Sequence, residues 1–263
     1  MSRAEPHVVL DLGPITRLTL NRPAHANAMD WEMGVQFEQA LARIRASTEV
    51  RVVLLAGAGK HFCAGGDFSF IEENTRLPPE QVEARMLTFY RMFLGVLALP
   101  VPTCAVVKGS AIGAGLCLAL ACDLRLAAAT ARLGTNFVHI GLHPGMGATA
   151  LLPHVAGASV AAELLLTGAV LDAERAVLLG LVSRVVPDGA LDAEAERMAQ
   201  SIAAAAPIAV RQTVETLRAP LRGPLDAALE REAACQTLDF GTEDVKRAIA
   251  AFAARERPEF IGR

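Results

Sequence analysis

Residues 108–123, with the sequence KGSAIGAGLCLALACD, place three glycines in front of an apolar run that ends at Asp123. The apolar segment TCAVVKG, residues 103–109, predicts a buried strand before these glycines, and residues 113–121 predict a helix after them. A glycine-rich turn that leads into a helix leaves backbone N–H groups free at the positive end of the helix dipole. Between Lys108 and Asp123 there is no charged side chain. The stretch therefore offers backbone N–H donors and no side-chain charge.

The same order of strand, loop, helix and strand recurs along the first two hundred residues. HVVLDLG and ITRLTLN, joined by Gly13 and Pro14, predict a β-hairpin. Asp30 is a candidate cap for a helix that continues to about Ser47, and VRVVLLAG predicts the next strand. A helix follows, which ends before Pro100 and Pro102. The segment DLRLAA predicts a further strand. This alternation predicts an α/β fold with a parallel sheet and with ligand groups on the loops.

The pattern changes after about residue 201. The three segments that follow are apolar at helical spacing and have no strand between them: SIAAAAPIAVRQTVETLRA, PLDAALEREAACQTLDF and TEDVKRAIAAFAARERP. We therefore predict an α/β core over residues 1–200 and a helical region over residues 201–263.

Composition narrows the class of protein. The chain of 263 residues is 52% hydrophobic and has a net charge of −3, which suits a well-filled globular core and gives no reason to expect a nucleic-acid partner. The first residues lack a signal-peptide core, and the longest apolar run, residues 111–122, is too short to cross a membrane. Five cysteines without a C-x-x-C pair indicate free thiols. We expect a cytoplasmic protein with no membrane partner.

A second glycine loop, HFCAGGDFS at residues 61–69, also follows a buried strand. Neither loop has the spacing of a phosphate-binding loop or of a dinucleotide-binding motif, and the chain has no G-x-S-x-G nucleophile motif. Two interpretations stay open at this point. The glycines could serve only tight turns, or the two loops could aim two N–H donors at one carbonyl oxygen, as in an oxyanion hole.

Several longer segments resemble one family in order and at family spacing, from about residue 8 to the C-terminus. They are LTLNRPAHANAMD, VVLLAGAGKHFCAGGDF, PVPTCAVVKGSAIGAGLCLALACDLRLAA, LLTGAVLDAERAVLLGLVSRVVP and AFAARERPEFIGR. Together they are similar to the crotonase, or enoyl-CoA hydratase/isomerase, superfamily. The resemblance implies a spiral of β-β-α units followed by a C-terminal helical region used in trimerisation. It also implies self-association into homotrimers or hexamers and a substrate that is an acyl-CoA thioester.

The resemblance assigns roles residue by residue. The backbone N–H groups of Gly66 and Ala114 would form the oxyanion hole for the thioester oxygen. Coenzyme A would enter only as part of the substrate, with no permanently bound cofactor and no metal. The expected substrate-binding residues of the two loops are Ala64, Gly65, Asp67, Phe68, Ser69, Ile112, Gly113 and Gly115. Cys117 and Phe137, discussed next, are also expected to bind substrate. Ala24, His25 and Ala26 are expected near the nucleotide of coenzyme A.

Two positions depart from the family pattern. Hydratases of the family use two glutamates to handle a water molecule, and this sequence has Cys117 and Phe137 at the matching places. Ordinary hydratase activity is therefore not expected. His143, just before PGMG, is a candidate proton donor because imidazole titrates near neutrality. Cys117 and the pair Glu72 and Glu73 are further candidates for acid or base.

The leading hypothesis is a protein that binds an acyl thioester and stabilises its enolate. The reaction that forms this enolate stays open between decarboxylation, double-bond isomerisation and another lyase step. TNFVHIGLHPGMGAT resembles the matching segment of crotonase-fold decarboxylases from polyketide β-branching, so an acyl-carrier thioester is an alternative partner. The first loop lacks the basic and tyrosine residues associated with those enzymes. The rival hypothesis is a non-catalytic scaffold that binds CoA thioesters. The spacing of His139 and His143 does not predict a metal site, because Gly141 and Pro144 prevent a continuous helix there.

Overall fold

The computed structural model describes residues 5–263. Within that range the chain forms nine strands in two sheets. The strands are β1 (Val8–Asp11), β2 (Ile15–Leu20), β3 (Val52–Gly57), β4 (Thr103–Val107), β5 (Ser110–Ile112), β6 (Leu124–Ala128), β7 (Arg132–Gly134), β8 (Val170–Asp172) and β9 (Arg184–Val186). The helices are α1 (Trp31–Ala46), α2 (Phe68–Asn74), α3 (Pro79–Leu94), α4 (Ala114–Leu120), α5 (Ala148–Ala156), α6 (Ala158–Thr167), α7 (Ala173–Leu178), α8 (Leu191–Ala203), α9 (Pro207–Arg218), α10 (Arg222–Phe240) and α11 (Glu243–Ala254).

The predicted hairpin and the first helix are confirmed. β1 and β2 pair antiparallel, with Val8 opposite Leu20. The carboxylate of Asp30 accepts a hydrogen bond from the backbone N–H of Met33 at 2.7 Å and so caps α1. A side-chain acceptor at this position satisfies one of the N–H groups that the first turn of a helix leaves unpaired.

The larger sheet has the strand order β1-β2-β3-β4-β6-β9, and every neighbouring pair after the hairpin is parallel. A smaller sheet, β5-β7-β8, stands beside it. Because parallel strands end at the same edge of a sheet, the loops after β3 and β4 meet there. They carry the two glycine motifs, so the topology brings them together. The α/β fold with a parallel sheet that the sequence predicts is confirmed.

Both faces of the larger sheet are covered. The main core lies between the sheet and the apolar faces of α1, α3 and α4 and contains fully buried Phe37, Phe93 and Leu116. A smaller cluster on the other face packs Leu191 and Ala195 of α8 against Val52 and Leu54. A sheet buried on both faces explains why its strands read as continuous apolar runs.

The last three helices contain no strand between them, as predicted. They do not stand apart from the core, because α10 packs against α3 and α5 and so contributes to the walls of the central cavity. The boundary predicted at residue 200 falls inside α8, and the division into two regions stays a prediction. In the part of the chain that the structure describes, the helices are too short or too polar to span a membrane.

Candidate functional site

The second glycine loop lies where β5 turns into α4. Gly113 has φ of 55° and precedes Ala114, the first residue of the helix. The next glycine is fixed by close packing, because a Cβ on Gly115 would lie 2.3 Å from the carbonyl oxygen of Cys63. The start of α4 therefore packs directly on the first loop. Among the described residues, the N–H of Ala114 donates to no protein acceptor.

The first loop is held between two partners by short ladders of backbone hydrogen bonds. On one side Cys63 N–H donates to Ser110 O and Ile112 N–H to Cys63 O, both at 3.0 Å. On the other side Met29 N–H donates to Gly65 O, and Asp67 N–H donates to Met29 O. Gly66 is the residue between these last two bonds, in a parallel bridge with Met29. Its own N–H points away from that bridge and has no acceptor within residues 5–263.

The two unpaired N–H groups belong to loops that touch each other. A Cβ on Gly65 would lie 3.7 Å from the nitrogen of Ala114. Gly66 and Ala114 both line the same cavity. Two donors without internal partners, side by side at a cavity wall, are the arrangement that binds a carbonyl oxygen or an oxyanion.

The rim of the first loop is stabilised by one ion-pair cluster. Arg22 contacts Asp67 at 2.9 Å and Asp30 at 3.2 Å, and it also donates to the backbone oxygen of Ala28. Asp67 accepts from the N–H and the hydroxyl of Ser69 and so caps α2. Burial opposes ionisation of Asp67, but the hydrogen bonds from Ser69 and Arg22 outweigh it and lower the pKa of this carboxyl. Asp67 thus holds the loop in place.

The cavity beyond the two N–H groups is mostly apolar. Its volume is about 70 Å³, and a single water needs about 10–15 Å³. There is room for roughly five waters or a short acyl group. Its side-chain walls come from α2, α3, α10 and the segment after β7: Phe68, Phe70, Ile71, Met86, Phe89, Tyr90, Asn136, Phe137, Ile140, Leu142, Met146, Gln236 and Phe240. No Asp, Glu, Lys, Arg or His of the described chain lines it.

Comparison with known proteins identifies the family of the chain. The family model described as enoyl-CoA hydratase/isomerase matches residues 13–263. The chain belongs to the enoyl-CoA hydratase/isomerase family. This crotonase family acts on acyl-CoA thioesters and uses no permanently bound cofactor.

Individual relatives match nearly the whole of this chain. (E)-benzylidenesuccinyl-CoA hydratase of Thauera aromatica is 35% identical over 94% of this chain and 96% of its own. The 1,2-epoxyphenylacetyl-CoA isomerase of Escherichia coli is 34% identical over 95% of each chain. The crystal structure of an enoyl-CoA hydratase from Mycobacterium avium subsp. paratuberculosis superposes with a TM-score of 0.86 at 29% identity, covering 97% of this chain and 98% of that one.

The structure places some of the site residues predicted from the sequence in the cavity lining and leaves others outside it. Lining the cavity are Ala64, Gly65, Gly66, Phe68, Gly113, Ala114 and Phe137. Outside this lining are Asp67, Ser69, Ile112, Gly115 and Cys117. Ala24 and His25 form an exposed turn, and the carbonyl of Ala26 accepts from the N–H of Ala64 at 3.0 Å. This turn therefore adjoins the first loop at the mouth of the cavity.

The candidates for acid and base do not converge on the cavity. His143 lies outside its lining, with Nδ1 2.6 Å from the carbonyl oxygen of Pro144. Cys117 is fully buried, and burial raises the pKa of its thiol well above the ordinary value. Glu72 and Glu73 form ion pairs with Arg76 and Arg85. None of these four residues lines the cavity, and the geometry therefore gives no support to a catalytic role for their side chains.

Three buried polar residues at or near the cavity escaped the sequence analysis. Tyr90 of α3 and Gln236 of α10 are polar, buried and part of the cavity wall. Glu232 of α10 is fully buried and accepts from the N–H groups of Gly147 and Thr149, so it caps α5. The only signal in the sequence was the presence of polar residues on the apolar faces of helices, and that signal does not identify their partners.

Proposed function

We propose that this protein binds an acyl-CoA thioester with its carbonyl oxygen between the N–H groups of Gly66 and Ala114 and stabilises the enolate of that thioester. The observation that carries the proposal is the pair of unpaired donors at the wall of an apolar cavity. Negative charge grows on the thioester oxygen as an enolate forms, and fixed donors in a desolvated site stabilise that charge more than they stabilise the neutral ester.

The reaction we propose is not the addition of water. Hydration requires groups that position a water molecule and move its protons. By the family motifs, Cys117 and Phe137 occupy the places of the two hydratase glutamates. The absence of acidic side chains from the described lining of the cavity supports the same conclusion.

Beyond thioester binding and enolate stabilisation, decarboxylation of the bound thioester is a second candidate function. The apolar and uncharged walls of the cavity favour it. The carbon–carbon bond to the carboxylate would break, its electron pair would form the enolate, and CO2 would leave. A proton from solvent would then add to the α-carbon. This step needs the two N–H donors and no activated water. An apolar wall also disfavours the charged carboxylate more than the neutral CO2.

The side chains of the cavity indicate an apolar acyl group with a ring or a short chain. Five phenylalanines are part of the wall: Phe68, Phe70, Phe89, Phe137 and Phe240. Two relatives are named for CoA thioesters whose acyl group contains a six-membered carbon ring, a benzylidene group in one and an epoxyphenyl group in the other. Aromatic side chains pack favourably on the faces and edges of such rings.

The test is a mass-spectrometric assay of the purified protein with crotonyl-CoA, phenylacetyl-CoA and methylmalonyl-CoA. We expect binding of the esters, no gain of water by crotonyl-CoA, and loss of CO2 from methylmalonyl-CoA if decarboxylation is the reaction. Hydration of crotonyl-CoA at ordinary enzyme rates would overturn the exclusion of hydratase activity. A melting temperature that none of the esters raises would overturn the proposal of thioester binding.

Self-association into a trimer or a pair of trimers is part of the same proposal. The helical C-terminal region leaves several large apolar side chains in solvent, among them Ile208 at 72% and Leu238 at 74% exposed. Surfaces of this kind are typical of protein–protein contacts. Light scattering of the purified chain should give three or six times the monomer mass, and a monomeric mass would contradict this part.

A further inference from the structure

The wall of the same cavity contains a buried polar pair, Tyr90 and Gln236. They are 1% and 2% exposed. The hydroxyl of Tyr90 donates to Oε1 of Gln236 at 2.7 Å, and Nε2 of Gln236 donates to the backbone oxygen of His143 at 2.7 Å. Both side chains line the cavity.

The backbone oxygen of His143 fixes the direction of every hydrogen bond in the pair. A carbonyl oxygen only accepts, so the amide nitrogen of Gln236 must face it and Oε1 must face Tyr90. The hydroxyl proton of Tyr90 is therefore committed to Gln236. Two groups of the pair remain free to hydrogen-bond a ligand. They are one acceptor, the phenol oxygen of Tyr90, and one donor, the second N–H of Gln236.

The pair is open to the cavity because residue 145 is glycine. A Cβ on Gly145 would lie 2.6 Å from the hydroxyl of Tyr90 and 2.7 Å from Nε2 of Gln236. Any side chain at this position would occupy the space in front of both polar atoms. Gly145 itself belongs to the cavity wall.

A donor beside an acceptor, in an otherwise apolar pocket, is complementary to a hydroxyl group. A hydroxyl oxygen accepts from the amide N–H while its proton goes to the phenol oxygen. A carbonyl group could use only the donor, and a carboxylate would meet the phenol oxygen without a counter-charge. Burial raises the pKa of the Tyr90 phenol well above its ordinary value, which keeps the phenol neutral.

We propose that Tyr90 and Gln236 select acyl-CoA substrates whose acyl group carries a hydroxyl substituent, which bridges the phenol oxygen and the amide N–H. This inference rests on the proposed binding of an acyl-CoA thioester and adds the class of acyl group. Because a pocket built to hydrogen-bond a hydroxyl leaves its polar atoms unpaired around a hydrocarbon, the preference appears as a difference in affinity between matched esters.

The experiment compares esters that differ by one hydroxyl. Phenylacetyl-CoA is titrated calorimetrically beside its 2-, 3- and 4-hydroxy forms, and butyryl-CoA beside its 3- and 4-hydroxy forms. We expect at least one hydroxylated ester to bind wild-type protein about fivefold to tenfold more tightly than its parent. In Tyr90→Phe that ratio should fall to near one while the affinity for the parent ester stays within about twofold.

Gln236→Leu is the second variant, in case Tyr90→Phe does not fold, and it should also abolish the ratio. Gln212→Leu, an exposed glutamine of α9 outside the cavity lining, is the matched control and should keep it. The inference is overturned if no hydroxylated ester binds wild type more tightly than its parent, or if the ratio survives in both cavity variants. If wild type binds no ester of either kind, thioester binding itself fails, which is a different result from equal binding of the two kinds.

Discussion

Two parts of the cavity wall offer different kinds of atoms. The first part, the backbone end, has the N–H groups of Gly66 and Ala114, the proposed oxyanion donors, and the side chains there are small because the two loops touch. The second part, the side-chain end, has Tyr90 and Gln236, the proposed hydroxyl-binding pair, which come from helices far apart in the chain. The backbone end would serve any acyl thioester. The side-chain end would distinguish one acyl group from another.

The largest effect is expected at the backbone end. Ala114→Pro removes one N–H, and the first position of a helix tolerates the proline ring. We expect kcat on the CoA ester turned over in the mass assay to fall about 100-fold to 1000-fold, the usual cost of one oxyanion donor.

Ala173→Pro is the matched control for this substitution. Ala173 is the first residue of α7 and lies outside the cavity lining. It should retain kcat within about twofold, since no oxyanion donor is lost. If Ala114→Pro turned the ester over as fast as Ala173→Pro, the oxyanion hole would be misplaced.

A second effect concerns Glu232, the carboxyl that holds the segment from Gly147 to Thr149 at the start of α5. Burial raises the pKa of this carboxyl to about 7, above its ordinary value of 4.5. Between pH 4.5 and pH 7, the folded state therefore keeps a proton on Glu232 that the unfolded state has already released. The free energy of unfolding should fall by roughly 3 kcal/mol as pH rises from about 4.5 to 7.

Urea denaturation at pH 5 and pH 8 measures this pH dependence. Glu232→Gln should remove it. At pH 5 the variant should be less stable than wild type by about 1–3 kcal/mol, because the amide cannot accept from Gly147 N–H and Thr149 N–H together. At pH 8 the wild type has lost the stability linked to its bound proton, so the difference should disappear or reverse. Glu230→Gln, an exposed neighbour on α10, should behave as wild type. An unchanged pH dependence in Glu232→Gln would show that the carboxyl is not the group responsible.

The third prediction tests the opening at the side-chain end. Gly145→Ala places a Cβ against Tyr90 and Gln236, so it should destabilise the fold by about 1–3 kcal/mol and abolish the preference for hydroxylated esters. The oxyanion end should still bind the parent ester. Gly223→Ala on α10, where a Cβ meets nothing within 4 Å, should be neutral or slightly stabilising. A Gly145→Ala protein as stable as wild type would contradict the packing described.

The sequence predicted the backbone end because its signal is local. Glycines that follow a buried strand and precede a helix lie within one short stretch, and the parallel sheet brings two such stretches together. The hairpin, α1, α3 and the C-terminal helices were predicted for the same reason. The strands β5, β7, β8 and β9 were not recognised as separate elements, because three residues show no periodicity.

The side-chain end could not be predicted, because its contacts join distant parts of the chain. Tyr90 and Gln236 are 146 residues apart, and Gly147 and Glu232 are 85 apart. A tyrosine or glutamine on an apolar helix face has no sequence feature that names its partner. His143 looked suitable because its position and its type matched, but its side chain turns to the carbonyl of Pro144.

The smallest effect is expected at the rim of the backbone end, at Asp67. Asp67→Ala loses the cap of α2 and the ion pair to Arg22, so it should lower stability by about 1 kcal/mol and raise KM a few-fold, with kcat kept. Asp67→Asn keeps an oxygen for the N–H of Ser69 and should lie between wild type and Asp67→Ala. Chemical denaturation and steady-state kinetics measure both variants. If either lost kcat as Ala114→Pro does, side chains would matter at the backbone end as much as at the other, and the contrast between the two ends would fail.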